Sequence, residues 1–272
     1  MTRHRSAFLG IVFLAAFGCL LSGVALASEP TVEVYAAGSL RQAMTAMAQA
    51  FEKTAGIAVK TTFGPSGVLR ERIEKGERPD MLASADFSSP QTLHKAGLAW
   101  QTVLFTRNKL CATGRDSLGL TPDTVLARLL DPAVRLGTST PKADPAGDYA
   151  WKMFELAETV KPGSAKLLSA KADMIVGGPN NSAPVNGKHP VAAAFADGKV
   201  DMFLGYCSAN LPQTVPGLVQ VHLPPALSVQ ADYGLALLKN ASPDARLFAL
   251  FILSLDGQKI LAEHGFAPVA LP

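Results

Sequence analysis

The chain has 272 residues, 48% hydrophobic and 17% charged, with 25 Lys and Arg against 22 Asp and Glu and a formal charge of +3. That composition belongs to a globular protein and excludes a disordered or collagen-like chain. The near-neutral balance leaves no electrostatic footprint for nucleic acid or an anionic membrane, and the length suits one large domain or two of roughly 100–150 residues.

Arg3, His4 and Arg5 precede an apolar run from Ala7 to Leu21, and Ala25-Leu26-Ala27 follows. A basic start, a short apolar stretch and small residues before the cut predict a signal peptide over residues 1–27, cleaved after Ala27. The run falls short of the ~18 apolar residues of a membrane span. Loss of Arg3 and Arg5 brings the charge to +1, and the expected location is the periplasm. Export places Cys111 and Cys207 in an oxidising compartment, where both a bridge across a long loop and two buried free thiols are open.

Beyond the leader, Val32-Glu33-Val34-Tyr35 reads as a strand that ends at Ala36-Ala37-Gly38-Ser39. Leu40, Met44, Met47 and Phe51 recur at helical spacing, and Gly56 stops that helix. Ile57, Val59, Thr61 and Phe63 alternate as a second strand, Val68 to Lys75 forms a helix, and Met81 to Ala85 reads as a buried strand. Further on, Lys109 to Thr113 and Val134 to Gly137 are predicted strands. Asp144-Pro145-Ala146-Gly147 leads into a helix carrying Tyr149, Met153, Phe154 and Leu156. After a Gly/Pro/Asn-rich loop from Gly177 to Pro190 come a helix near Val191 to Ala196 and a strand from Met202 to Tyr206. The closing elements are a strand from Gly234 to Leu238 and a helix from Asp244 to Leu255. The alternation predicts an α/β architecture of doubly wound, largely parallel sheets. The boundaries suggested are 28–106 with 212–272 for one lobe and 107–211 for the other.

Three loops share one design, in which a strand ends, small residues follow and a helix begins: Gly38-Ser39, Gly64-Pro65-Ser66-Gly67 and Asp144-Pro145-Ala146-Gly147. Helix N-termini present unsatisfied N–H groups and a positive dipole end, and so attract anions. Ser39 and Ser66 would add hydroxyl donors, yet serine at a helix start is also an ordinary N-cap. Six donors at about 1.5–3 kcal/mol each could exceed the ~12 kcal/mol of a nanomolar complex without any Lys or Arg.

The stretch Tyr35-Ala36-Ala37-Gly38-Ser39-Leu40 resembles the opening of periplasmic molybdate-binding proteins of ABC importers, as does Phe63-Gly64-Pro65-Ser66-Gly67-Val68-Leu69. Arg70, Ile73, Gly76 and Pro79 to Asp86 continue the likeness. Asp144 to Ala150 is similar to that family's Pro-Ala-Gly-x-Tyr-Ala segment, Gly205-Tyr206-Cys207-Ser208 to its tyrosine segment, and Gly265-Phe266 to its closing pair. The resemblance implies a two-lobed, hinged, type II periplasmic binding fold that carries out no reaction. It implies molybdate or tungstate held between the lobes by neutral donors and no cofactor, with a monomer delivering its ligand to an inner-membrane permease. Carried over by motif, Ser39 and Ser66 would give hydroxyl and backbone N–H groups, Ala146 a backbone N–H, and Tyr206 its phenolic O–H. A further backbone donor would fall near Asp173-Met174 at the start of a helix, which makes Met174 a candidate. The chain departs from the family at the Gly177–Pro190 loop, where Asn180, Asn181 and Ser182 could reshape the pocket, and at Ala209, where the family has Asp. The same fold with another small oxyanion or an organic anion is the alternative.

Gly64-Pro65-Ser66-Gly67-Val68 lacks the second glycine of a nucleophile elbow, which argues against an exported serine hydrolase. His94, His189, His222 and His264 show no metal-ligand spacing with one another or with a cysteine, so no metal site is expected.

Overall fold

The computed structural model describes residues 1, 31–178, 190–209 and 215–269. The proposed leader with its cut after Ala27, and Asn180, Asn181 and Ser182 of the expected insertion, lie outside the described residues.

The first half opens with β1 (Thr31–Ala37), a single 3-10 turn (Gly38–Leu40) and α1 (Arg41–Ala55). The predicted apolar face of α1 is buried through Ala43, Met44, Met47 and Phe51, and Gly56 ends the helix in the left-handed region at φ 69°. β2 (Ala58–Gly64), α2 (Ser66–Glu74), β3 (Met81–Ser84) and α3 (Ser88–Lys95) follow. β1 lies between β2 and β3, parallel to both, so that all three strands deliver their C-terminal ends to one edge.

The second half contains α4 (Val125–Leu130), β5 (Leu136–Ser139), α5 (Pro145–Val160), α6 (Ser164–Lys171) and β6 (Asp173–Val176). α7 (Pro190–Ala196) and β7 (Met202–Tyr206) complete its core set. β5 pairs in parallel with both β6 and β7. The helix expected to begin at Asp173-Met174 is therefore absent. Those residues are strand, with Gly137 opposite Asp173 and Thr138 opposite Met174.

Two strands join the halves. β4 (Ala99–Arg115) is far longer than the predicted Lys109–Thr113. From Ala99 to Lys109 it pairs antiparallel with β9 (Gln230–Leu238), which in turn pairs with β3. From Leu110 to Arg115 it pairs with β7 and with β8 (Leu218–His222), a strand the sequence reading did not anticipate. The resulting order is β2-β1-β3-β9-β4-β7-β5-β6, with β8 and β10 (Ala267–Pro268) also on β4. The sheets are mixed rather than nearly all parallel, because the connecting strands run antiparallel. Each half buries apolar residues on both faces of its own sheet, around Met44, Met47 and Phe248 in the first and Met153, Phe154 and Leu204 in the second.

The predicted closing helix is two helices, α8 (Pro243–Leu253) and α9 (Leu255–Glu263). Ser254 ends the first and caps the second, its side chain accepting the N–H of Gly257. Among the described residues no helix is long and apolar enough to cross a membrane.

Candidate functional site

The C-terminal ends of β1, β2 and β3 meet the loops that end β5 and β7 around a cavity of about 480 Å³. Ser39, Ser66, Ala146 and Tyr206 all line it, so four of the five residues singled out from sequence share one space. The fifth does not: Met174 is 44% exposed on β6, and the lining passes through Val176 instead. A hollow of about 610 Å³ on the outer face of the first half is walled mainly by Trp100, Val103, Leu237 and Leu250, and brings together none of the motif residues.

Neither serine caps its helix. The residues before the two helical turns are Ala37 and Pro65, and neither turn has a side-chain cap. Ser39 Oγ instead lies 2.9 Å from the Tyr233 hydroxyl, which also accepts from Asn108 Nδ2 at 3.3 Å. Ser66 is fully buried, and its Oγ accepts the Ala85 N–H at 3.0 Å. The capping alternative is thereby removed for both. The Ser66 hydroxyl, which accepts the Ala85 N–H, still has its own hydrogen to give, and in the Ser39–Tyr233 pair either hydroxyl can be the donor.

Tyr206 reaches across from the second half and donates its O–H to the Ala85 carbonyl at 3.3 Å. Burial raises its pKa well above the usual tyrosine range, with Tyr233 next in effect, so the phenol remains protonated and can act as a donor. Tyr149 and Tyr233 surround it with ring centroids 6.2 and 5.5 Å away.

The halves also touch backbone to backbone. The Gly67 N–H in α2 donates to the Ala143 carbonyl at 3.1 Å. A Cβ at Gly67 would sit 2.2 Å from the Lys142 carbonyl oxygen, so glycine is required by the approach itself. Lys142, at φ 68°, is the non-glycine residue with positive φ among those described, and it stands on the opposing side of this contact. Gly147 serves the same end inside the second half, since a Cβ there would meet the Thr140 and Pro141 backbone at 2.5–2.6 Å.

The expectation of a lining made only of neutral donors is corrected by two side chains. Arg41, at the start of α1, lines the cavity with its guanidinium 4.4 Å from the Phe63 ring centroid. Asp144, the N-cap of α5, lines it too, with Oδ1 accepting the Ala146 N–H at 3.1 Å. That N–H, expected to face the ligand, is thus engaged by its own cap. Burial pushes the Asp144 carboxyl up to about 6, against the opposing pull of the Ala146 N–H and the Ser139 hydroxyl. Sequence reasoning noted Asp144 only as part of a motif; an acidic residue just before Pro-Ala-Gly was the signal available.

The acids flanking β3 are committed to structure. Asp86, just beyond β3, accepts from the hydroxyls of Ser84, Ser88 and Ser89, and Asp80, at the far end of the same strand, accepts the backbone N–H groups of Glu33 and Ser242. No histidine is among the described lining residues. Cys111 and Cys207 are joined in a disulfide. His222 Nδ1 lies 3.5 Å from Cys111 Sγ and 3.6 Å from Cys207 Sγ, but thiols spent in an S–S bond are not thiolate ligands for a metal.

Comparison with known proteins adds a lineage. Residues 32–267 match the family described as bacterial extracellular solute-binding protein. An uncharacterized protein of Pasteurella multocida is 35% identical over 239 residues, covering 87% of this chain and 98% of its own. The molybdate-binding protein ModA of Mycobacterium tuberculosis is 26% identical over 249 residues, covering 87% and 84%. Among solved structures, the periplasmic molybdate-binding protein of Azotobacter vinelandii superposes with a TM-score of 0.71 at 18% identity, covering 89% of this chain and 99% of that one. The architecture is that of the type II periplasmic binding proteins.

Proposed function

Because the chain belongs to the bacterial extracellular solute-binding protein family, we propose that it is the periplasmic receptor of an ABC importer and closes on a tetrahedral oxyanion, molybdate or tungstate. The observation that carries this reading is the convergence of Ser39 and Ser66 from the first half with Ala146 and Tyr206 from the second on one cavity. These are the positions at which the sequence resembles the molybdate-binding proteins, and a relative of that name aligns along most of the chain. In this proposal the lobes are 28–106 with 212–272 and 107–211, with β8 packed on the second through its pairing with β4. The mature chain works as a monomer, catalyses nothing, and hands its anion to an inner-membrane permease.

Donors drawn from both lobes make closure and binding a single event. The hydroxyls of Ser39 and Ser66, the Tyr206 O–H once it leaves the Ala85 carbonyl, and the first N–H groups of the helical turns behind the serines replace the water shell of the anion. Hydrogen bonds to a charged group contribute about 1.5–3 kcal/mol each, while association costs at least ~4 kcal/mol, so a handful of preorganised donors suffices. A thermal-shift panel of molybdate, tungstate, sulfate and phosphate tests this. A ligand at 100 times its Kd stabilises by about 2.7 kcal/mol, and a panel without any shift would remove the oxyanion reading.

A second reading, the same fold holding a different small oxyanion or an organic anion that bears one, is favoured by Arg41 and Asp144 in the lining. A cavity of about 480 Å³ falls in the ~300–1,000 Å³ range of small-molecule sites.

A further inference from the structure

Asp144 shares the cavity with the very groups proposed to hold a dianion, Ser39, Ser66 and Tyr206. One of its acceptor positions takes the Ala146 N–H, the Ser139 hydroxyl adds a pull toward the charged form, and an ionised carboxylate has about four such positions. The groups around it do little to favour its charge. Asp148 on the same helix and Asp86 beyond β3 are like charges, Tyr206 at the end of β7 stays protonated, and Lys142 in the preceding turn gives its backbone N–H to Asp148. Arg41 stands in the wall supplied by α1, over Phe63. An ionised Asp144 and a fully ionised oxyanion placed in this one enclosed space would repel each other, as like charges in a shared site do.

We infer that Asp144 is the specificity-determining acceptor of the site, and that the anion is held together with one hydrogen, shared between an oxygen of the ligand and the Asp144 carboxylate. The inference rests on the oxyanion reading above and refines it. An anion that carries an acidic hydrogen, such as hydrogenphosphate or a monoprotonated phosphate monoester, brings that hydrogen with it. Molybdate or sulfate brings none, and binds only after Asp144 has taken a proton from solvent. A cavity of donors alone would have the opposite preference, since the O–H of hydrogenphosphate would then face another donor. Asp144 tilts the discrimination toward protonated anions as pH rises.

Titration calorimetry on the mature chain with sodium molybdate, sodium sulfate and sodium phosphate tests the inference. With the free carboxyl at about 6, the Kd for molybdate should rise roughly eightyfold from pH 5.5 to pH 8, following the fraction of protein already protonated. At pH 8, binding of molybdate should take up about one proton, read from the dependence of the heat on buffer ionisation, whereas binding of hydrogenphosphate should take up close to none. Asp144→Asn keeps an oxygen to cap α5, and should abolish both the pH dependence and the proton uptake. It should also lower affinity for hydrogenphosphate relative to sulfate. A molybdate Kd that is the same at both pH values in the wild type, or a pH dependence that survives in Asp144→Asn, would overturn the assignment while leaving the oxyanion reading standing. If none of the three anions binds at either pH, the oxyanion reading falls and this inference falls with it.

Discussion

At the scale of single residues, Ser39 and Ser66 occupy matching places at strand ends but differ in what else depends on them. The Ser66 hydroxyl accepts a buried N–H, that of Ala85, whereas the Ser39 hydroxyl meets a phenol that has Asn108 as another partner. Ser39→Ala should therefore weaken oxyanion binding by about 1–3 kcal/mol with little change in the melting temperature of the ligand-free protein. Ser66→Ala should weaken binding by a similar amount and also destabilise the empty protein by about 1–3 kcal/mol, the cost of leaving a buried donor unpaired. Calorimetry and thermal melts on both variants separate the two roles. Ser39 and Ser66 are legible because each sits in a short strand-to-helix loop, whereas Ala146 and Tyr206 are reached through the resemblance to the molybdate-binding proteins. Asp144 and Arg41 are not legible. Asp144 reads as an N-cap, which it is, and nothing in its immediate sequence reveals that the rest of the carboxyl faces a space closed by the other half.

At the scale of elements, the legible ones were those with uniform period. α1 carries Met44, Met47 and Phe51 on one face, and β1 and β3 are short apolar runs beside glycine or proline. Only the second half of β4 is legible in sequence, for a physical reason. Its first half has Trp100, Gln101 and Val103 turned toward solvent, and its pairing with β9 slips between Ala99 and Gln101 and again between Leu104 and Thr106. Each slip shifts the inward and outward alternation on which the sequence signal depends. The helix expected at Asp173-Met174 is a strand because four residues do not distinguish a short strand from the first turn of a helix.

The contact between α2 and the loop before α5 yields a sharper expectation. Gly67→Val inserts a side chain where even a Cβ would lie 2.2 Å from the Lys142 carbonyl oxygen. The two elements must separate, losing the Gly67-to-Ala143 hydrogen bond. Binding should weaken by about 1–3 kcal/mol or more, with an unchanged far-UV circular dichroism spectrum, because neither element's own core is touched. Elsewhere, Asp201 ties β4 to β5 by accepting from Arg135 and Arg115. The Arg135 guanidinium holds its carboxyl down to about 2. A depressed carboxylate contributes stability at neutral pH, and that contribution disappears as pH falls from about 4 through 2. Asp201→Asn should lower stability at pH 7 and narrow its gap to the wild type at pH 2–3, as read by urea titration at each pH.

At the scale of the whole molecule, the Cys111–Cys207 bridge spans 96 positions of sequence. The sequence left bridge and free thiols open because proximity is a property of the fold. Once β4 and β7 pair, with Cys111 opposite Gly205, a residue just past the end of β7 is brought near. In the chain-entropy model a loop of this length contributes about 4–5 kcal/mol. Replacing both cysteines by serine should lower the unfolding free energy by up to about that amount in denaturant titrations. The effect should persist in the empty protein, since the bridge acts mainly on the unfolded chain.

Where β4 exchanges β9 for β7 and β8, its hydrogen bonding changes hands. The Lys109 N–H is taken by the side chain of Asn108, and the Leu110 N–H by the Val229 carbonyl. Asn108 also donates to Ser208 and Tyr233, and Tyr233 meets Ser39. A guest that engages Ser39 is therefore only two side chains from the point where the two sheets share one strand. Under the proposed function, a twist of that strand is expected to reach a guest at Ser39 through this same short linkage.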